Sequence, residues 1–412
     1  MRIEIVSVGD ELLTGATVNS NAAIIAERLT QLGHEVRWIS TVGDDEEALI
    51  EAFEHAFGRA RIVVVTGGLG PTHDDITKNA VSRYFHSRIV FNAGVFADVE
   101  DRLKQWGRGM SDVNREQAMV PEKAEVLAND IGTAPGLFFR KKDRFFFILP
   151  GVPREMTEML EKTVVPRLAA MGGDLIVRSR FLRTFGIPES DLYERIQEFP
   201  KRFSDIRLAF LPQVSGVALR LTVSGVSDEA CMKMLLQGEA MIRERAGSFI
   251  YGEGDVSLEE VVADLLLKRK LTVAVAESCT GGLVSHKLTN VPGSSTYFNR
   301  GIVAYSNEAK IEILGVPEKK IRNHGAVSPE TAMAMAEGVR MISRTNIGVS
   351  TTGIAGPSGG TPEKPVGLVF IGYADDHCTL FEKHLFTRDR RWNKARSALT
   401  ALDLMRRTLL DR

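Results

Sequence analysis

Cysteine is scarce in this chain: three in 412 residues, at Cys231, Cys279 and Cys378. Their wide separation excludes a disulfide framework and lacks the paired spacing of a zinc site, so a reducing compartment is expected. An excess of either charge is also lacking. Lys and Arg number 52 against 53 Asp and Glu, a formal net charge of −1. General binders of nucleic acid or of anionic membrane carry a basic surplus, so neither partner is expected. No apolar run approaches the ~18 residues of a membrane span. The opening MRIEIVSVGDELL has a strand pattern followed by acidic residues, not the plan of a secretory leader. A cytoplasmic location follows as an expectation. There is no fixed-period repeat and no low-complexity tract. What is present is ordinary globular composition, 44% apolar and 25% charged, at a length that predicts two or three domains.

Strand and helix signals alternate over residues 1–168. Ile3–Val8, Val36–Ile39, Ile62–Thr66 and Phe145–Leu149 read as strands, and Ala22–Leu32 and Glu46–Phe57 as amphipathic helices. That alternation predicts a doubly wound α/β domain with its ligands beyond the strand C-termini. Residues 169–253 read as a small α+β module, with short strands at Leu182–Gly186, Leu208–Leu211 and Ala218–Val223 and helices at Glu189–Phe199 and Asp228–Ala246. It carries no cluster that suggests catalysis, so a connecting or dimerising role is expected, and with it a homodimer. Ser257 and Glu260 form a capping-box pattern ahead of a helix Leu258–Lys268. From there residues 254–412 are again β/α, with strands at Leu271–Ala276, Ile302–Tyr305, Ile347–Thr351 and Val366–Tyr373. The fold class is therefore α/β: two doubly wound α/β domains joined by a small α+β module.

Two constellations carry chemistry. In TGGLGPTHDDITKNAV the glycines Gly67, Gly68 and Gly70 would let backbone approach a phosphate, and the neighbouring carboxylates Asp74 and Asp75 can hold a divalent cation. Asp10-Glu11 and Asp44-Asp45 also follow strands, and three acidic turns at the ends of one sheet converge on one crevice. Taken alone, Asp44 and Asp45 read equally well as a helix cap. NDIGTAPG (129–136) and LPGVPREM (149–156) add tight turns.

In the third domain the strand Leu271–Ala276 empties into Ser278, Cys279, Thr280, Gly281 and Gly282, then a helix pattern. A glycine-rich turn at a helix start presents backbone N–H groups to an anion or a developing oxyanion. Tyr305, Asn307 and Lys310 follow, a phenol, an amide and an amine that can serve a hydroxyl nucleophile. A second glycine-rich strand end, TTGIAGPSGG (351–360), suits close approach to a ligand at Gly353, Ala355 and Gly356. His324 reads as structural.

The strings GDELLTG, TGGLGPTHDD, GTAPG and LPGVPREM resemble the molybdopterin-binding fold in the version found at the N-terminus of the CinA (competence/damage-inducible) family. AESCTGG, GSSTYFNRG, YSNEAK, HGAVS and GIAGPSGG resemble that family's C-terminal domain over residues 255–410. The resemblance implies two activities. One is a metal-dependent pyrophosphatase acting on ADP-ribose, with Asp44, Asp74 and Asp75 near the metal or phosphate. The other is hydrolysis of the carboxamide of nicotinamide mononucleotide (NMN) to nicotinate mononucleotide and ammonia, with no cofactor. Read against that reaction, Ser278 is the nucleophile, ahead of Cys279, and Lys310 or Tyr305 is the base, with Ser295 a possible relay. Backbone N–H groups over Thr280–Gly282 are the oxyanion donors. The phosphate partner lies among Arg388, Arg390 and Lys394; the family pattern has glycine at the first of these positions and arginine at the last. An N-terminal domain that only binds a nucleotide or pterin, and regulates its neighbour, is the rival reading.

Overall fold

The computed structural model describes residues 1–72, 75–170, 176–225 and 227–411. The chain forms two compact units, Met1–Arg178 with Val223–Lys233, and Ser179–Thr222 with Met234–Arg412.

The first unit holds β1 (Arg2–Val8), β2 (Glu35–Val42), β3 (Ile62–Thr66), β4 (Ile89–Phe91), β5 (Met119–Pro121), β6 (Glu125–Leu127), β7 (Gly136–Lys141) and β8 (Arg144–Leu149). Six of them form one sheet in the order β2-β1-β3-β8-β7-β6. β1 is parallel to β2 and β3, and β3 to β8, while β7 turns back antiparallel. The near-continuous apolar runs of β1, β3 and β8 are buried because helices cover both faces. Ser20–Gln31 and Pro153–Met159 pack on one face, Glu46–Arg59 and Thr77–Tyr84 on the other. The parallel register aligns Val8 with Val42, Ser7 with Thr66 and Thr66 with Leu149, so four strand-end loops gather at one edge. Asp45 caps the helix Glu46–Arg59 by accepting from the Ala48 N–H at 2.8 Å.

Mostly in the second unit, β9 (Ile176–Thr184), β10 (Arg207–Gln213), β11 (Gly216–Gly225) and β12 (Ile250–Glu253) form a sheet ordered β10-β11-β9-β12. The helix expected over Glu189–Phe199 divides into Glu189–Ile196 and Phe199–Arg202, with Pro200 in the first turn of the second, where its missing N–H costs nothing. Phe185 and Tyr251 join the core of the following α/β layer.

That layer is built on β13 (Val273–Glu277), β14 (Phe298–Val303), β15 (Ile347–Gly353), β16 (Leu368–Ala374) and β17 (Thr379–Leu385), ordered β14-β13-β15-β16-β17. β13 is parallel to β14 and β15, whereas β16 and β17 return antiparallel. Pro329–Ser343 covers one face; Leu258–Arg269 and Arg390–Leu410 cover the other. The capping box of Ser257 and Glu260 forms. β14 ends at Val303, so Tyr305 lies past the strand that sequence pattern assigned it to. No described helix is long and apolar enough to cross a membrane.

Candidate active site

Ser278 stands one residue beyond β13, and its N–H donates to the carbonyl of Thr351 on β15 at 2.9 Å. Lys310 lies on the helix Asn307–Glu312, capped by Ser306, whose Oγ accepts from the Ala309 N–H. The lysine side chain is 1% exposed. Its Nζ lies 3.2 Å from Ser278 Oγ, 2.9 Å from the Ala304 carbonyl, 3.0 Å from that of Tyr305 and 3.3 Å from that of Ser306. Burial pushes its pKa below the ordinary 10.5, against smaller upward pulls from Cys279 and Glu308. A neutral amine has two N–H groups for the carbonyls and one lone pair for the Ser278 hydroxyl. The Ser278 hydroxyl and the Lys310 amine are thus within hydrogen-bond reach, the arrangement a Ser–Lys nucleophile and base would need. Cys279 points away from this role: burial pushes its thiol up to about 12, where no useful thiolate exists near neutral pH.

Tyr305 is 62% exposed, and its hydroxyl receives a hydrogen bond from Arg390 Nη2 at 3.2 Å. It touches Lys310 through its backbone carbonyl. Arg390 Nη1 also donates to the Gly356 carbonyl at 2.7 Å. Ala355, Gly356, Arg388 and Arg390 line a cleft of about 570 Å³. Lys394, one turn on and on the same face of that helix, sets its Nζ 3.3 Å from where a Cβ on Gly281 would stand. Arg388 lies over the Trp392 ring at 5.0 Å. The helix start itself is closed by Asp389, which accepts from the Arg391 and Trp392 N–H groups. An anion here would therefore be held by side chains.

Several sequence-based assignments need correction. The N–H of Gly282 does not face a substrate oxyanion: it donates to the carboxylate of Glu277 at 2.9 Å, as do those of Val284 and Ser285. The Thr280 hydroxyl is buried between Glu277 and Thr351, each at 2.6 Å, and Gly281 N–H turns back to the Ser278 carbonyl. The chain's own anion occupies the helix start that sequence pattern offered to the substrate. Gly353 is a sheet glycine, since a Cβ there would press on Leu368 and Val369. Ser295 and Asn307 are exposed, and among the described residues neither hydrogen-bonds to Ser278 or Lys310. Glu277 was missed altogether; a carboxylate just ahead of a glycine-rich turn and a helix is the signal that could have found it.

In the first unit Glu11, Asp44, Gly67, Gly68, Gly70, Asp75, Thr133, Gly151 and Glu155 line a cleft of about 420 Å³. Asp10 and Asp44 exchange backbone-to-carboxylate hydrogen bonds at 3.0 and 3.1 Å. Both Asp75 oxygens are engaged: one accepts from the Gly70 N–H, the other from the Thr72 N–H and hydroxyl. The glycines answer to the chain before any ligand. A Cβ on Gly67 would collide with the Val8 carbonyl, one on Gly68 with the Thr77 hydroxyl, and one on Gly70 with Asp75. Glu155, not singled out in the sequence, accepts from Asn129 Nδ2 at 2.7 Å. Asp74 lies outside the described residues. Among those described, no group of three His, Cys, Asp or Glu forms a metal cage. The carboxylate oxygens of Glu11, Asp44 and Glu155 are the donor type a hard divalent ion takes.

Three family models match the chain: a CinA C-terminal domain over residues 255–409, a probable molybdopterin binding domain over 4–170, and a damage-inducible protein CinA KH domain over 179–252. A CinA-like protein of Dictyoglomus thermophilum is 43% identical over 411 residues, covering 100% of each chain. One of Salinibacter ruber is 46% identical over 411 residues, 99% of this chain and 100% of its own. A third, from Kosmotoga olearia, is 42% identical over 410 residues, 100% of this chain and 99% of its own. With this agreement along the full length, the chain belongs to the CinA family of competence/damage-inducible proteins.

Proposed function

We propose that the C-terminal domain hydrolyses the carboxamide of NMN. The observation that carries the reading is the 3.2 Å approach of a fully buried lysine amine to Ser278 Oγ. As Oγ bonds to the carboxamide carbon, its proton passes to the Lys310 lone pair. Collapse of the tetrahedral intermediate breaks the C–N bond, and Lys310 returns that proton to the leaving nitrogen, releasing ammonia. Water repeats the sequence on the acyl-enzyme, freeing nicotinate mononucleotide and Ser278. Lys310 is the base in this scheme; the Tyr305 hydroxyl accepts instead from Arg390, which lines the cleft. Arg390 and Lys394 are suited to the nucleotide phosphate, on one helix face beside Gly356 and Gly281. Ammonia release from NMN by the full chain, with Ser278→Ala as control, tests the reading; release that survives the substitution sinks it.

For the N-terminal domain we propose a metal-dependent ADP-ribose pyrophosphatase. The convergence of Glu11, Asp44, Asp75 and Glu155 on one glycine-walled cleft supports it. Asp44 with Glu11 or Glu155 would hold the ion, which supplies charge neutralisation of the diphosphate when bound; Asp75 keeps the Gly70–Thr72 turn in shape. The engagement of both Asp75 oxygens favours the second reading, in which the domain binds a nucleotide without cleaving it. AMP formation from ADP-ribose and magnesium by the full chain, lost in Asp44→Asn, separates the two.

A further inference from the structure

Behind Ser278 sits a charge that the reaction as drawn does not use. Glu277, the last residue of β13, is 0% exposed. Its Oε2 accepts from Thr280 Oγ1 at 2.6 Å, the Gly282 N–H at 2.9 Å and the Val284 N–H at 3.1 Å. Its Oε1 accepts from the Ser285 N–H at 2.8 Å and the Ser285 hydroxyl at 2.7 Å. Burying a carboxylate away from a cation is costly unless donors saturate it, and here they do.

The donors matter less for their number than for what they join. Thr280 spends its only proton on Glu277, so it accepts from Thr351 Oγ1, 2.6 Å away. Proton direction is thereby set from Thr351 through Thr280 to Glu277. Thr351 also takes the Ser278 N–H at its carbonyl. One carboxylate thus ties the end of β13, the nucleophile turn, the first turn of the helix Leu283–Thr289 and β15. A helix start needs only a serine or aspartate at its cap. Here the cap position is Gly282, at φ 94°, and the cap comes from the strand before the turn. That arrangement couples the cap to Ser278 rather than to the helix alone.

We propose that Glu277 is a positioning residue for the reaction: it holds the Ser278–Gly282 turn so that Oγ meets both Lys310 Nζ and the carboxamide carbon. The inference rests on the amidase reading. A displacement near 1 Å at the reacting atoms costs on the order of 10²-fold in rate. Glu277→Gln keeps the shape but turns an amide N–H₂ toward a donor. Its kcat for ammonia release is expected to fall about 10²-fold, with KM for NMN within about two-fold. Ser285→Ala removes one hydroxyl donor and leaves the Thr351–Thr280–Glu277 chain whole; it is expected to lower the melting temperature while kcat stays within a few-fold. Glu277→Asp, one methylene shorter, is expected to recover only part of the loss.

Labelling by a fluorophosphonate reads the same geometry without NMN: Oγ bonds to phosphorus, fluoride leaves and Lys310 takes the proton. The labelling rate is expected to fall in Glu277→Gln in step with kcat, and to vanish in Ser278→Ala. If the wild type labels rapidly but frees no ammonia from NMN, the amidase reading fails and the labelling comparison alone decides the position of Glu277. Equal labelling of wild type and folded Glu277→Gln, or a Ser285→Ala variant as slow as Glu277→Gln, overturns the proposal. Should Glu277→Gln not fold, Thr280→Val against Thr280→Ser decides it: slow labelling in the first and recovery in the second supports the positioning role, and equal rates refute it.

Discussion

Lys310 Nζ and Ser278 Oγ are 3.2 Å apart, and the same amine lies within 3.3 Å of the main-chain carbonyls of Ala304, Tyr305 and Ser306. The pair should therefore act as one unit. Ser278→Ala and Lys310→Met are each expected to cut ammonia release on the order of 10³-fold or more, and the double variant is expected to be hardly slower than either single one. A double variant slower by the product of the two losses would contradict the coupling; steady-state ammonia assays on the three proteins measure it.

The lowered pKa of Lys310 gives the rate a direction in pH. The base works neutral, so kcat/KM is expected to rise with pH through the folded-state pKa and level off above it. Stability follows the same sign. Between the folded value and the unfolded 10.5 the unfolded chain binds more protons at this site, so stability rises with pH across that window. Melting temperatures of wild type and Lys310→Met, compared over that range, should show the extra rise only in the wild type.

Arg390 and Lys394 are expected to act on binding rather than on the chemical step. Each Ala substitution should raise KM for NMN about 10- to 100-fold, the worth of about 1.5–3 kcal/mol for a charged hydrogen bond. Nicotinamide riboside, which lacks the phosphate, should be turned over by wild type and variants alike. A variant that loses kcat on both compounds would place these residues elsewhere in the reaction.

Cys279, beside the nucleophile and with its thiol pushed up to about 12, is expected to be inert in the folded protein. Iodoacetamide at neutral pH should leave it unmodified until the chain is unfolded, and Cys279→Ala should keep ammonia release within a few-fold. Rapid alkylation accompanied by loss of activity would reverse the choice between the two neighbours.

What the sequence disclosed, it disclosed through periodicity and local chemistry. The helix over Asp228–Ala246 and the capping box at Ser257 were legible because caps and apolar spacing are short-range signals. The Ser278–Lys310 pair was legible as types, a hydroxyl in a turn and an amine in a helix, but its distance was not. Strand ends were shifted: β14 stops at Val303, because Tyr305 turns outward while its carbonyl serves Lys310. The hairpin partner β17 escaped notice since Phe381 and Leu385 face outward while Glu382 and His384 are half-buried, which inverts the usual apolar-inward alternation. Glu277 escaped for a different reason. A glutamate near a helix start looks like a solvated first-turn acid, and only the path of the Gly281–Gly282 turn, both at positive φ, curls three N–H groups onto it.

The cradle of Lys310 also fixes how this site can vary. Three carbonyls of consecutive residues surround the amine, and no side-chain replacement deletes a carbonyl. The position of the amine is therefore written largely in chain path, while burial lowers its pKa. It should tolerate substitutions at positions 304–306 that spare the backbone, and should collapse on a one-residue insertion or deletion between β14 and the helix that carries Lys310.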